Sequence, residues 1–351
     1  MELFELVKAL VNIDSVTGHE DVCGHFLRTE LEERGFAVEL QTVSPGRANV
    51  LAFRGAPEVV LSTHFDTVPP FFRAGEDDEW IFGRGACDAK GIVAAQIEAA
   101  QRLLSDGVSD FGLMFLVGEE TFSDGARVAN QSPRGTKYVI NGEPTDNKLA
   151  IAAKGCLQLQ VRTHGKSAHS AYPELGESAI DRLLDVLDDF RRLPLPRDFV
   201  LGISTANIGV ISGGRAANVI PDEAEARIMI RTVTDSADLR RQIESLLAGR
   251  CELEFTRETP AMRMERLDGF ETTIVAFTTD LPSLTNWGRP LLLGPGSIAE
   301  AHTDHERVRK SDLLRAVDLY CEMVKRLKQQ QMMGAIQHSA ISHQRERTGL
   351  G

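Results

Sequence analysis

At 351 residues the chain exceeds a typical single domain, which predicts two. Its 42% hydrophobic and 26% charged content is that of a globular protein. The net charge of −12 excludes nucleic acid or an anionic membrane as the main partner, because both need a basic face, but leaves room for a small anionic substrate. Residues 1–10 alternate charged and apolar side chains and lack the basic start and apolar core of a secretory signal. No run approaches a membrane span. Five scattered cysteines without a CxxC pair predict reduced thiols in a cytoplasmic protein.

In chain order, helical spacing of apolar residues predicts helices over Leu3–Val11 and Val22–Arg34, the second stopped by Gly35. Phe36–Val43 alternates like a strand, and Val59–His64 reads as a buried strand running into a loop. An alanine-rich helix is expected over Lys90–Leu104, and apolar strands over Phe111–Gly118 and Tyr138–Pro144. This strand–helix rhythm predicts an α/β domain whose sheet is covered by helices on both faces. From Cys156 the rhythm changes to strands over Leu157–Thr163, Val200–Val210, Ala224–Thr232 and Cys251–Thr256, with helices over Ala179–Phe190 and Ser236–Leu247. That β-α-β-β-α-β order suits a ferredoxin-like α+β unit. From Phe270 the helix and apolar-strand alternation resumes, ending in a helix over Ser311–Gln329. The expected division is therefore residues 1–155 and 268–330 for one domain and 156–267 for the other. A disordered tail is expected over 331–351.

Polar residues gather just after the carboxyl ends of the predicted strands, where open α/β sheets bind ligands. Thr63-His64-Phe65-Asp66 places Asp66 two residues from His64, so that its carboxylate can back the imidazole. A solvated histidine and a turn aspartate are the alternative. Asp88, in Gly83-Arg84-Gly85-Ala86-Cys87-Asp88-Ala89-Lys90-Gly91, stands where a helix begins and alone would read as an N-cap, while Cys87 reads as packing. Glu119 and Glu120 follow a strand and point to opposite faces, which allows one to bind metal while the other handles protons. Glu143 ends the next strand, and His302 follows the glycine-rich Gly294-Pro295-Gly296 loop. Together, two histidines and several carboxylates at successive strand ends form a mixed N/O set fit for one or two zinc ions.

This order of motifs (His-x-Asp, Gly-Arg-Gly-x-x-Asp-x-Lys-Gly, Glu-Glu, Glu-Pro-Thr and Gly-Pro-Gly…His) resembles the zinc-dependent aminoacylase and carboxypeptidase-type metallohydrolases, such as acetylornithine deacetylase and succinyl-diaminopimelate desuccinylase. The resemblance runs to about Lys328. It implies a catalytic domain with an inserted lid and dimerisation domain. It further implies two Zn2+ ions, which Co2+ can replace, held by His64, Asp88, Glu120, Glu143 and His302, with Asp88 bridging. Glu119 would be the general base and Asp66 the support of His64. In the second domain, Gly165–Pro173 resembles the family's lid motif, making His169 the group that polarises the scissile carbonyl, across a homodimer in dimeric members. Gly213–Pro221 resembles the substrate loop, making Asn218 a contact, and Gly296 is a further expected substrate contact. Arg231, with its planar guanidinium, suits a substrate carboxylate, a surface salt bridge being the alternative. His164 reads as an ordinary strand residue.

The expected reaction is metal-assisted removal of an acyl group, acetyl first, from an N-acylated amino acid such as acetylornithine, acetyl-lysine or acetylcitrulline. A metallo-dipeptidase or aminopeptidase, or a succinyl-diaminopimelate desuccinylase, is the alternative. A catalytically dead metal-binding or oligomerisation module is disfavoured by the presence of Glu119 beside a full ligand set. No Gly-x-Ser-x-Gly elbow points to a serine nucleophile.

Overall fold

The computed structural model describes residues 1–348, with side chains through residue 330. The chain forms two compact units, residues 1–151 with 264–273 and 279–351, and residues 152–263 with 274–278.

In the first unit, α1 (Leu3–Val11) turns Leu3, Leu6, Val7, Leu10 and Val11 inward, and α2 (Asp21–Glu33) buries Cys23, Leu27 and Leu31. Gly35, at φ +81, ends α2 and releases the chain into the hairpin β1 (Ala37–Ser44) and β2 (Arg47–Arg54). The sequence reading missed β2, whose buried stretch is only four residues long. β3 (Val59–His64), α3 (Lys90–Ser105), β4 (Phe111–Leu116), α4 (Asp124–Asn130), β5 (Tyr138–Asn141) and β6 (Leu149–Ala153) follow. Every residue of β3, β4 and β5 is buried, because these strands pair in parallel at the centre of the sheet under helices.

The second unit contains β7 (Gly155–His164), α5 (Ala179–Arg192), β8 (Thr205–Gly213), β9 (Glu223–Thr232), α6 (Ala237–Leu247) and β10 (Glu252–Thr259). Its sheet runs β8-β9-β7-β10, antiparallel throughout, which is the ferredoxin-like order. Leu157, Leu159, Val161, Ala226, Ile228 and Ile230 pack with Leu183, Phe190, Leu239 and Ile243 from the two helices into one core. β8 is an edge strand and is exposed along nearly its whole length. It begins five residues later than the expected Val200. Asp198 Oδ1 accepts the backbone N–H groups of Val200 and Leu201, both at 2.8 Å, and so turns the chain before the strand starts.

The chain then returns to the first unit with β11 (Arg289–Leu292) and α7 (Lys310–Thr348). Seven of the nine strands of the large sheet run in the order β1-β2-β4-β3-β5-β11-β6 and mix parallel central pairs with antiparallel outer ones. Between Phe270 and β11 the chain forms a short strand at Thr272–Val275 and a 3₁₀ turn at Leu281–Ser283 that carries Pro282 near its start. α7 begins one residue before the expected Ser311. α7 runs past the expected Gln329 to Thr348, through most of the segment 331–351 expected to be disordered; residues 349–351 lie outside the described residues. No described helix is long and apolar enough to cross a membrane.

Candidate metal centre

β3 ends on His64, whose side chain is 1% exposed. Its Nδ1 donates to the backbone carbonyl of Asp66 at 3.0 Å and lies 3.4 Å from Asp66 Oδ1. With Nδ1 committed, Nε2 is left to face Asp88 Oδ1 at 3.0 Å and Glu143 Oε2 at 3.9 Å. This tautomer is the one a metal ligand needs. Glu143 follows β5, and Asp88 lies two residues before α3, whose N-cap is Ala89 and not Asp88.

Asp88 turns its other oxygen, Oδ2, to His302 Nε2 at 3.3 Å, and the same nitrogen lies 3.0 Å from Glu120. Two triads result, His64–Asp88–Glu143 and Asp88–Glu120–His302, each with its ligand atoms within 4.8 Å of one another. Asp88 belongs to both and offers one oxygen to each. His302 holds a left-handed backbone, φ 62, unusual for a residue with a side chain and typical of strain kept at functional sites.

The electrostatics fit a cation. Burial pushes the carboxyls of Glu143 and Glu119 well above the usual carboxylate range. Asp88 goes the other way: against the cost of burial, the His302 and His64 imidazoles hold it well down. Asp88 and then Glu120 lift His302 to about 10. Against its own burial, hydrogen bonding to Asp66 and Asp88 raises His64 as well. The buried carboxylates here demand positive charge, which the neighbouring imidazoles answer in part and divalent ions meet when bound. The donors, imidazole nitrogen and carboxylate oxygen, suit zinc or a similar first-row ion.

Glu119 and Glu120 do not sit on a strand, as the alternation argument required. β4 stops at Leu116, Gly118 takes φ +76, and the two glutamates occupy a turn. The N–H groups of both donate to the one carboxylate of Asp66, at 3.1 and 3.3 Å, and Thr17 Oγ1 donates to it at 2.7 Å. Asp66 thus braces the turn that carries the glutamates besides standing behind His64. Arg47 pairs with the fully buried Glu20 at 2.7 Å and with Asp124, the first residue of α4, at 2.5 Å. Glu119 is 9% exposed and belongs to neither triad.

The sequence reading missed three further residues. Glu306 is fully buried and bonded to the loop that carries Asp88. Thr17 reaches Asp66, as described above. Asp280 is 1% exposed, and neither of its oxygens makes a hydrogen bond of normal geometry among the described residues. All three are lone polar residues in loops, with no local pattern to mark them. Cys87 packs, its thiol 3.4 Å from the Ser297 carbonyl, and Gly296 is placed against it: a Cβ there would lie 2.6 Å from Cys87 Sγ, and φ is +78.

His169, Asn218 and Arg231 belong to the second unit. His169 pairs with Val219 in a two-residue ladder, and its Nδ1 accepts the N–H of Ala171 at 3.1 Å. The Asn218 carbonyl accepts the N–H of Ser170 at 3.0 Å, so Asn218 and His169 share one local frame. Arg231 sits on β9 between Cys156 and Thr205, half-buried. His164, on β7, pairs with Glu252 at 3.2 Å.

A family model described as the peptidase dimerisation domain (M20_dimer) matches residues 151–253. The chain is 40% identical over 335 residues to a peptidase M20 domain-containing protein of Schizosaccharomyces pombe, covering 92% of this chain and 84% of that protein. It is 37% identical to a probable carboxypeptidase of Aspergillus clavatus, with 92% and 82% covered. Among solved structures, a Staphylococcus aureus tripeptidase superposes with a TM-score of 0.80 at 22% identity, covering 92% of this chain and 97% of that one. A Sulfolobus solfataricus M20 family metallo-carboxypeptidase gives 0.77 at 16% identity, with 93% and 99% covered. The paired triads sharing Asp88 and the yeast relative point the same way: the chain belongs to the M20 peptidase family, metallohydrolases of amide bonds.

Proposed function

We propose that this protein hydrolyses the amide of a small N-acyl amino acid at a centre of two zinc ions, with acetyl as the preferred acyl group and acetylornithine, acetyl-lysine or acetylcitrulline as model substrates. The observation that carries the reading is the shared carboxylate of Asp88, which offers one oxygen to each triad. His64, Asp88 and Glu143 would hold one ion and Asp88, Glu120 and His302 the other. When bound, such ions lower the pKa of water and polarise a carbonyl. Glu119, buried and outside both triads, would take the proton from an attacking water and deliver it to the leaving amine. Burial holds its proton affinity high, which suits a group that must accept a proton and then give it up. Asp66 keeps Glu119 in place through the backbone bond at 3.1 Å. His169 would stabilise the oxyanion, Arg231 would hold the substrate carboxylate, and Asn218 and Gly296 would contact the substrate.

A homodimer built through the second unit fits the dimerisation-domain match and the exposed edge strand β8, with His169 acting across the interface. The reduced cysteines support placing the enzyme in the cytoplasm.

One observation favours a second reading. The relatives from Aspergillus are named probable carboxypeptidases, and a peptide with a free C-terminus is itself an N-acyl amino acid. Hydrolysis of acetyl-, succinyl-, dipeptide and N-blocked dipeptide substrates by zinc- or cobalt-loaded enzyme separates the two. Fastest turnover of acetylated amino acids supports the first reading, and preference for peptides supports the second. No hydrolysis of any member by metal-loaded protein overturns both.

A further inference from the structure

Glu306 is fully buried, four residues beyond His302, and its carboxylate is saturated by one short segment. Oε1 accepts the N–H groups of Gly85, Cys87 and Asp88 at 2.9, 3.1 and 3.0 Å. Oε2 accepts Nη1 of Arg84, itself 1% exposed, at 2.6 Å. The backbone carbonyl of Glu306 accepts the N–H of Gly83 at 3.0 Å. Five hydrogen bonds thus join one residue of the His302 loop to residues 83–88.

A carboxylate kept only as a counter-ion for Arg84 would spend its oxygens on the guanidinium. Here one oxygen is given wholly to three backbone N–H groups, the last of them on Asp88. Such charge-assisted bonds are about twice as strong as neutral ones and point in fixed directions. Glu306 therefore ties the loop that presents Asp88 to the loop that presents His302. His64 and Glu143 are carried instead by the ends of β3 and β5 and, among the described residues, meet Glu306 only through Asp88.

We propose that Glu306 is a positioning residue that holds Asp88 and His302 in register and so sets the affinity of the metal position formed by Asp88, Glu120 and His302, more than that of the position formed by His64, Asp88 and Glu143. The proposal rests on the two-metal reading above. Substitution of the partners that orient metal ligands typically costs about 10–100-fold in metal affinity.

The test is a zinc titration of the metal-free full-length protein, wild type against Glu306→Gln, with bound zinc counted after dialysis and folding checked by near-ultraviolet circular dichroism. Gln keeps the side-chain length but loses the charge and turns an amide toward donors. Wild type is expected to take up two ions. Glu306→Gln should hold one with near wild-type affinity and the other about 10–100-fold more weakly. Glu300→Gln, which alters an acid of the same loop paired with Arg307 and not with Asp88, should leave both affinities unchanged. Two wild-type affinities in folded Glu306→Gln, whatever its melting temperature, overturn the proposal and leave Glu306 a purely structural residue. If Glu306→Gln does not fold, Arg84→Lys decides: it leaves the Glu306 charge in place but removes the fork that fixes Oε2. A selective loss at one position then supports the proposal, and two unchanged affinities overturn it. Wild type that binds no zinc refutes the two-metal reading itself, an outcome distinct from failure of the Glu306 assignment.

Discussion

Asp280 offers a stability test that does not depend on catalysis. Its carboxyl is 1% exposed without a well-formed hydrogen bond, and burial pushes its pKa from the ordinary 3.8 up to about 7, with His64 and the Ser123 hydroxyl opposing the rise and Asp66 and Asp124 adding to it. A carboxyl raised on folding carries no penalty below about pH 4, where it is protonated in both states. The penalty grows as the pH climbs to about 7 and is complete above that. A rise of about three units at about 1.4 kcal/mol each amounts to on the order of 4 kcal/mol of stability lost by the metal-free protein between pH 4 and pH 8. Asn is isosteric and stays neutral. Asp280→Asn should therefore exceed wild type by only about 1 kcal/mol at pH 4.5 and by several times that at pH 8. With an unfolding entropy of about 2.1 cal/mol/K per residue, 4 kcal/mol corresponds to a melting-temperature gain of about 5 °C for a chain of this size. Thermal unfolding followed by circular dichroism in chelator, at both pH values, measures the difference. Equal advantage at the two pH values, or a variant less stable at pH 8, would show that Asp280 is not a buried charge that folding must tolerate.

The remaining expectations concern the reaction. Glu119→Gln should keep its metal, since Glu119 is in neither triad, and lose about 10²–10⁴-fold or more in turnover; high activity in the metallated variant would remove Glu119 from the proton path. Exhaustive chelation should abolish hydrolysis and zinc or cobalt should restore it, whereas activity that survives with metal analysis reading zero refutes the two-metal chemistry. Mixing inactive Glu119→Gln subunits with inactive His169→Ala subunits should restore activity if His169 works across the dimer. Mixed dimers that form but stay dead would return His169 to its own chain, and a fully active monomer would dispose of the dimer requirement.

Local pattern was enough to locate much of this molecule. The unbroken apolar run Val59–Leu61 before His64, and the similar runs before Glu119 and Glu143, marked buried strands and placed polar residues at their ends. The change from Cys156 to a β-α-β-β-α-β order marked the second unit, and β9 within it buries every second residue. Such signals are local because burial on a strand or helix repeats every two or 3.6 residues. Tertiary structure decided what the residues do to one another. Alternation along a strand said Glu119 and Glu120 point apart, but Gly118 ends the strand and Asp66 gathers both N–H groups into a turn. The division of Asp88 between two histidines depends on bringing His302 to Glu120, 182 residues away in sequence. Glu306 and Arg84 meet across 222 residues, and neither carries any mark in its own neighbourhood of the partner it will find. A buried polar residue in a loop is specified by what packs around it after the sheet has closed, and no periodicity records that.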